Sequence, residues 1–293
     1  MSSNRPIIFT ALPVAFQEDG ALSIDGNAAI LRKCAASGVD GAFVLGTTGE
    51  FPSLSEAERK TLTRLSLDLL PGKRVVVHVG AASLYEVERL INQSRAEGAT
   101  DVAAITPYFL PSTDDALKHF YGRISEISDG LNVFVYIFKA RTGITVTPEL
   151  MAELAQLPNI VGVKISGETL QAVGEYRALL PADFLVLTGS DREIGRLDRV
   201  GANGVISGVA SVYPEPFVAM ADAVQSGDGN RSALQKDVDD AVDGLLGDIE
   251  RLKTGLRLQG IAAGHARMAV GTPDAPTMSM LESLNSRFGM NMS

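Results

Sequence analysis

Apolar and polar positions along the chain fall into a repeating figure. Short runs rich in β-branched and other apolar residues each lead into a turn and then a stretch of helical periodicity: IIFTALPV (7–14), GAFVLG (41–46), RVVVHVG (74–80), VAAIT (102–106), VFVYIF (133–138), IVGVKI (160–165), FLVLTG (184–189) and NGVISG (203–208). Eight such runs, spaced roughly 20 to 35 residues apart, give the βα rhythm of a parallel sheet. Between two of them, SLSEAERKTLTRLSLDLLPG (53–72) carries helix signals: Ser55 as N-cap with Glu58 three residues on, apolar Leu62, Leu65 and Leu69, and a Pro71-Gly72 stop.

Eight βα units in about 225 residues suit a closed (β/α)8 TIM barrel of the α/β class better than an open doubly wound sheet. Beyond position 225 the strand signal stops. SALQKDVDDAVDGLLGDIERLKTGLRLQGI (232–261) and PTMSMLESLNSRF (276–288) read as helices. The expected organisation is a barrel over 1–225 and a C-terminal helical extension over 226–293.

With 293 residues, 45% of them hydrophobic, the chain can bury a sizeable core, and its longest apolar runs are strand-sized rather than membrane-sized. The opening MSSNRPIIFTALPVAF lacks the pattern of a signal peptide, so a cytoplasmic location and no membrane partner are expected. A single cysteine, Cys34, excludes an intrachain disulfide, and its setting in AILRKCAASG (29–38) predicts a small core residue. The balance of 26 basic and 35 acidic residues, net −9 without a basic run, argues against a nucleic-acid partner.

Catalytic groups in such a barrel lie at the C-terminal ends of the strands and in the loops that follow. That filter puts Lys164 first. It lies late in a strand of Ile160, Val161, Val163 and Ile165, where a charged amine is costly to desolvate. A structural lysine that is paired or snorkelling is one reading; a functional one is the other. Burial disfavours the charged amine, and the neutral amine can attack a ketone and form a Schiff base that stabilises a carbanion-like enamine.

Tyr136, near the end of the neighbouring strand, reads either as a core tyrosine or as the proton shuttle this chemistry needs. LGTTGEF (45–51) brings Gly46, Thr47 and Thr48 into the loop after the second strand, where backbone N–H groups and hydroxyls suit a carboxylate; a plain tight turn is the alternative. Arg141 adds a fixed cationic fork for a second acidic group, or else is a surface arginine. His78, His119 and His265 are scattered and read as structural, so no metal is expected. No Walker loop or GxGxxG is present, so no nucleotide cofactor is expected either.

The segments GTTGEFPSLSEAER (46–59), VYIFKARTG (135–143), PNIVGVKISG (158–167) and GANGVISGVASVYPEPF (201–217) resemble the dihydrodipicolinate synthase/N-acetylneuraminate lyase family of pyruvate-dependent class I aldolases. The resemblance covers nearly the whole chain. It implies that Lys164 is the Schiff-base lysine and Tyr136 the proton relay. Thr47 would link that tyrosine to a further aromatic hydroxyl, Thr48 would bind the substrate carboxylate, and the Ile206 carbonyl would line the pocket. It also implies a cofactor-free enzyme, a small 2-oxo acid as substrate and a homotetramer.

Three positions depart from the family pattern. In TPYFLP (106–111), Phe109 stands where a tyrosine hydroxyl usually reaches a neighbouring subunit's site, leaving Tyr108 or water as the substitute relay. Tyr136-Ile137-Phe138-Lys139 replaces a common Tyr-Asn-x-Pro, and Ile165 replaces an acidic residue. Arg141 matches an arginine that contacts the acceptor's carboxylate in the synthase branch, whereas TGSD (188–191) resembles sugar-acid aldolases equally well.

The expected function is a Schiff-base lyase acting on pyruvate or a 2-oxo acid, among them a 2-keto-3-deoxy sugar acid. Close alternatives are 4-hydroxy-tetrahydrodipicolinate synthase and a 2-oxo sugar-acid dehydratase. A phosphate-binding barrel using the last two strand loops and a non-catalytic 2-oxo-acid-binding paralogue are the more distant ones.

Overall fold

The computed structural model describes residues 5–229 and 231–289. Its eight strands are β1 (Ile7–Ala11), β2 (Gly41–Val44), β3 (Arg74–His78), β4 (Asp101–Ile105), β5 (Asn132–Ile137), β6 (Ile160–Ile165), β7 (Leu185–Thr188) and β8 (Gly204–Ser207). Each pairs in parallel with its sequence neighbours, and β1 pairs with β8, so the sheet closes as a (β/α)8 TIM barrel. All eight strands fall within a residue of the starts of the predicted runs. Several predicted runs end later, and their excess residues, including Pro13, Gly46, Gly80, Gly189 and Gly208, form the loops above the barrel.

Alternation along each strand sends one set of side chains into the barrel and the other outward against the helices. The inner set includes Phe9, Phe43, Val76, Ala103, Phe134, Tyr136, Leu187 and Ile206. The outer set, with Ile8, Val44, Val77, Val102, Val135, Ile165 and Val205 among it, packs under the helical ring. Ile137 and Ile165, two residues at the positions that depart from the family pattern, belong to this outer set and lie away from the mouth.

The helix Glu56–Leu69 begins with the predicted capping box: Ser55 Oγ accepts from the Glu58 N–H at 3.3 Å, and Glu58 Oε2 accepts from the Ser55 N–H at 2.8 Å. After the eighth barrel helix, Glu215–Ser226, three more follow: Arg231–Leu245, Ile249–Leu258 and Ala275–Phe288. The break between the first two of these lies at Leu246 and Gly247, both with positive φ. A Cβ on Gly244 would lie 2.1 Å from Leu284 Cδ1, so a larger residue there would have to displace that side chain. Cys34 is buried beside the Thr10 hydroxyl, and burial pushes its thiol pKa up.

Candidate active site

Lys164 is the penultimate residue of β6, points inward and is 5% exposed. Register sets it opposite Tyr136 on β5 and Leu187 on β7. Its Nζ lies 4.2 Å from the ring centroids of both Phe43 and Tyr136. Two aromatic faces can hold a cation, but no ion pair to this amine forms among the described residues. An amine held this way keeps its lone-pair chemistry available once neutral.

The Tyr136 ring meets Phe43 edge-on at 5.8 Å and His78 edge-on at 5.9 Å, which fixes where its hydroxyl goes. That hydroxyl lies 3.1 Å from Thr47 Oγ1. His78 is fully buried, and desolvation, reinforced by the charges of Arg59 and Lys164, holds its pKa well below the ordinary value. The neutral ring has one arrangement that satisfies both nitrogens. Nδ1–H donates to the Leu45 carbonyl at 3.0 Å, and Nε2 accepts from the Ile105 N–H at 3.4 Å.

The loop between Leu45 and Glu50 is held at both ends in left-handed backbone, φ 61° at Leu45 and 53° at Glu50. Such conformations persist for non-glycine residues only when neighbours enforce them. His78 grips the Leu45 end. At the other end the Glu50 carboxylate accepts from Lys253 Nζ at 2.7 Å and from the Met268 N–H at 2.7 Å. Burial lowers the Lys253 pKa, and the adjacent Glu50 works against that shift. A Cβ on Gly46 would sit 2.7 Å from Phe43 Cε1, so a larger residue would push against the ring that faces Lys164. Across the mouth, Thr48 Oγ1 would lie 3.4 Å from a Cβ on Gly208, so Thr48 and the end of β8 face one another. Below the loop, buried Arg59 donates to the carbonyls of Phe51 at 3.2 Å and of His78 and Gly80 at 3.4 Å.

A cavity of about 470 Å³ opens beside Thr47, lined by Tyr108, Arg141 and Thr142 together with Met268 and Val270 of the C-terminal extension. Arg141 stands exposed, its guanidinium 5.7 Å from the Phe138 ring centroid. Phe138 in turn packs on Tyr136 at 6.2 Å. Tyr108 is half-buried, with its hydroxyl turned towards the Ala82 backbone, and burial raises its pKa. Phe109 points away, 92% exposed with φ 82°. Ile206 lies in the inner cluster with Tyr136. Asp191, after β7, has a shielded Oδ1 with no partner; burial pushes its carboxyl up to about 6, against the pull of Ser207 and the charges of Lys164 and Arg192.

Lys164, Tyr136, Thr47, Thr48 and Gly46 therefore converge on one barrel mouth, with Arg141 and Tyr108 on its rim and Phe109 outside it. His119 lies on the helix Asp114–Ile127, and His265 bonds Glu250 at 2.7 Å, both apart from the mouth. Among the described residues, no group of three or more His, Cys, Asp or Glu side chains is placed to hold a metal.

The sequence pattern of the Dihydrodipicolinate synthetase family matches residues 5–282. The chain belongs to that family. It is 30% identical over 289 residues to the 4-hydroxy-tetrahydrodipicolinate synthase of Thermotoga petrophila, covering 96% of this chain and 98% of the relative. It is 31% identical over 278 residues to 4-hydroxy-tetrahydrodipicolinate synthase 1 of Streptomyces coelicolor, covering 92% and 90%. Among solved structures, dihydrodipicolinate synthase from Thermotoga maritima superposes with a TM-score of 0.90 at 29% identity, covering 98% of this chain and 99% of that one. A monomeric dihydrodipicolinate synthase variant also superposes at 0.90, with 28% identity and 98% and 97% coverage.

Members of the dihydrodipicolinate synthetase family are Schiff-base lyases that join pyruvate to a lysine without an external cofactor, and this chain is a class I lyase of that kind. Sequence reasoning did not single out Phe43, His78, Glu50 or Lys253 as parts of the site. GTTGE contained a signal for Glu50, since a carboxylate in a tight buried loop needs a partner. Lys253 gave none, because its partner lies in a loop 203 residues away.

Proposed function

We infer that the protein is a pyruvate-dependent aldolase in which Lys164 forms the Schiff base and Tyr136, backed by Thr47, moves protons. The supporting observation is the Lys164 amine 4.2 Å from the Tyr136 ring, with the tyrosine hydroxyl 3.1 Å from Thr47 Oγ1. The neutral amine attacks C2 of pyruvate. The carbinolamine hydroxyl takes a proton from Tyr136 and leaves as water, giving the iminium.

Loss of a C3 proton then gives the enamine. Its C3 attacks an aldehyde carbon, the new alkoxide is protonated, and water returns the 2-oxo acid and the free lysine. Cleavage is the same path reversed. Thr48 and the N–H groups after Gly46 bind the pyruvate carboxylate, the Ile206 carbonyl lines the pocket, and Arg141 takes an acidic group on the acceptor.

A second reading, 4-hydroxy-tetrahydrodipicolinate synthase, is favoured by the names of the relatives and takes aspartate semialdehyde as acceptor. In either case the protein acts on small molecules, in the cytoplasm, as a homotetramer. No helix among the described residues is long and apolar enough to cross a membrane.

The test is peptide mass spectrometry after incubation with pyruvate and borohydride. A reduced pyruvyl adduct on the Lys164 peptide, absent in Lys164→Ala, is expected. A folded protein that gives no adduct with pyruvate or larger 2-oxo acids sinks the reading.

A further inference from the structure

His78 is the last residue of β3 and is 1% exposed. Strand alternation puts it on the same inner face as Val76. Burying an imidazole is costly unless its nitrogens find partners, and here both do. Nδ1–H donates to the Leu45 carbonyl, just past the end of β2, and Nε2 accepts from the Ile105 N–H at the end of β4. An apolar ring would fill the same space, so packing alone does not account for the nitrogens.

Leu45 is the pivot. Its φ of 61° is a left-handed conformation that a residue other than glycine keeps only where its neighbours enforce it. The three residues that follow are Gly46, Thr47 and Thr48. A hydrogen bond to the Leu45 carbonyl therefore fixes the peptide plane from which the loop carrying both threonines departs.

The ring is held as closely as the nitrogens. Its centroid lies 4.6 Å from that of Phe51 at an interplanar angle of 64°, and 5.9 Å from that of Tyr136 at 83°. A Cβ on Gly80 would lie 2.5 Å from Nε2, so a larger residue there would push the imidazole out of place. One side chain thus braces the start of the threonine loop and the ring of Tyr136, whose hydroxyl meets Thr47 at 3.1 Å.

We propose that His78 is a positioning residue for the reaction: through the Leu45 carbonyl it sets loop 46–48 for the pyruvate carboxylate, and through its ring edge it sets the Tyr136 phenol. This rests on the aldolase reading above and adds a residue to it. His78 itself transfers no proton. Both nitrogens are occupied, and burial keeps the ring neutral.

The two contacts can be separated by substitution. His78→Asn places an amide N–H near the position of Nδ1 and keeps a donor for Leu45, but loses the ring edge. His78→Phe keeps the ring and loses the donor. The experiment traps the Lys164 adduct with borohydride over a range of pyruvate concentrations, giving a half-saturating concentration and a limiting rate for each variant, with thermal melts on the same samples.

His78→Phe is expected to raise half-saturating pyruvate about tenfold with a limiting rate within about threefold of the parent, the pattern of lost binding. His78→Asn is expected to keep half-saturation within about twofold and lose about tenfold in limiting rate, the pattern of a misplaced proton relay. A residue that only fills the core would not split the two parameters in opposite ways. If His78→Phe does not fold, His78→Gln, whose amide reaches the place of Nε2 and leaves Leu45 without its donor, must show the raised half-saturation.

Equal half-saturation in the asparagine variant and in the phenylalanine or glutamine variant, or failure of both of the latter to fold, makes His78 a core residue and overturns this inference alone. Absence of the adduct in the parent protein overturns the aldolase reading, and this inference with it.

Discussion

Lys253 Nζ lies 2.7 Å from Glu50 Oε1, and both side chains are wholly removed from solvent although 203 residues separate them in sequence. Lys253 belongs to the C-terminal extension and Glu50 to the loop that carries Thr47 and Thr48. Lys253 Nζ also donates to the His265 carbonyl at 2.7 Å and lies 4.5 Å from the Phe16 ring centroid. The extension therefore fixes the geometry of the loop assigned to the substrate carboxylate.

Lys253→Met strips a buried carboxylate of its partner. We expect a loss of about 3–5 kcal/mol in stability, the usual result of breaking a buried pair from one side. Adding Glu50→Gln removes the stranded charge and should recover much of that loss. Denaturant titration of the single and double variants checks this. A Lys253→Met protein within about 1 kcal/mol of the parent would mean that the pair contributes little.

The Arg267 contact to the same region predicts acid sensitivity. Glu58 is held at about 2, below its ordinary 4.5, chiefly by the hydrogen bond from Arg267, with the N–H and hydroxyl of Ser55 adding to it and partial burial opposing. A carboxylate with a depressed pKa adds stability above its unfolded value. That stability disappears as pH falls from 4.5 towards 2, where the folded group also protonates. Both partners stay in part contact with water, so screening holds the contribution to about 1 kcal/mol. Glu58→Gln should be less stable than the parent at pH 7 and converge on it below pH 4. Thermal melts at pH 7 and pH 3 with the same gap would contradict the assignment.

Much of this was legible in the chain because local rules and global fold agree. The runs that became β1 to β8 are apolar on both faces, and only a sheet enclosed by helices buries both. Lys164 stood out because an amine inside such a run conflicts with burial. Contacts between distant segments were not legible. Phe43 gives no sign in sequence that it faces the lysine, and Met268 and Val270 look like ordinary residues of a polar tail until their segment folds back over Glu50. Substituting Ile137 and Ile165 into the family pattern looked relevant to the mouth, yet strand alternation turns both outward. Phe138, just past the end of β5 and at a position the family pattern leaves open, is the neighbouring residue that packs on Tyr136.

Phe109 bears on assembly. A bulky side chain at φ 82°, 92% exposed and followed by Leu110 at 68%, combines backbone strain with an apolar tip. Strain of about 1–3 kcal/mol is retained when something offsets it, and contact with a second subunit would do so. Phe109→Asp should lower the oligomeric state seen in sedimentation velocity and reduce turnover in parallel. A variant that keeps its assembly and full activity would remove Phe109 from the interface.

The sharpest catalytic prediction concerns the Tyr136 hydroxyl. Phenylalanine keeps the ring that faces Lys164, Phe43 and His78, and removes only the oxygen bonded to Thr47. The fold should lose no more than about 1 kcal/mol, the net worth of one hydrogen bond. Chemistry should suffer far more, since a positioned acid–base group contributes about 10²–10⁴ in rate. We expect kcat to fall by that factor with KM nearly unchanged, and the borohydride-trapped adduct to accumulate more slowly because dehydration of the carbinolamine lacks its proton donor. Thr47→Val, which leaves the tyrosine hydroxyl in place but unoriented, should fall between the parent and Tyr136→Phe. If Tyr136→Phe turns over at the parental rate while Lys164→Ala is inactive, the proton moves through water or another side chain, and the shielded carboxyl of Asp191 becomes the next group to substitute.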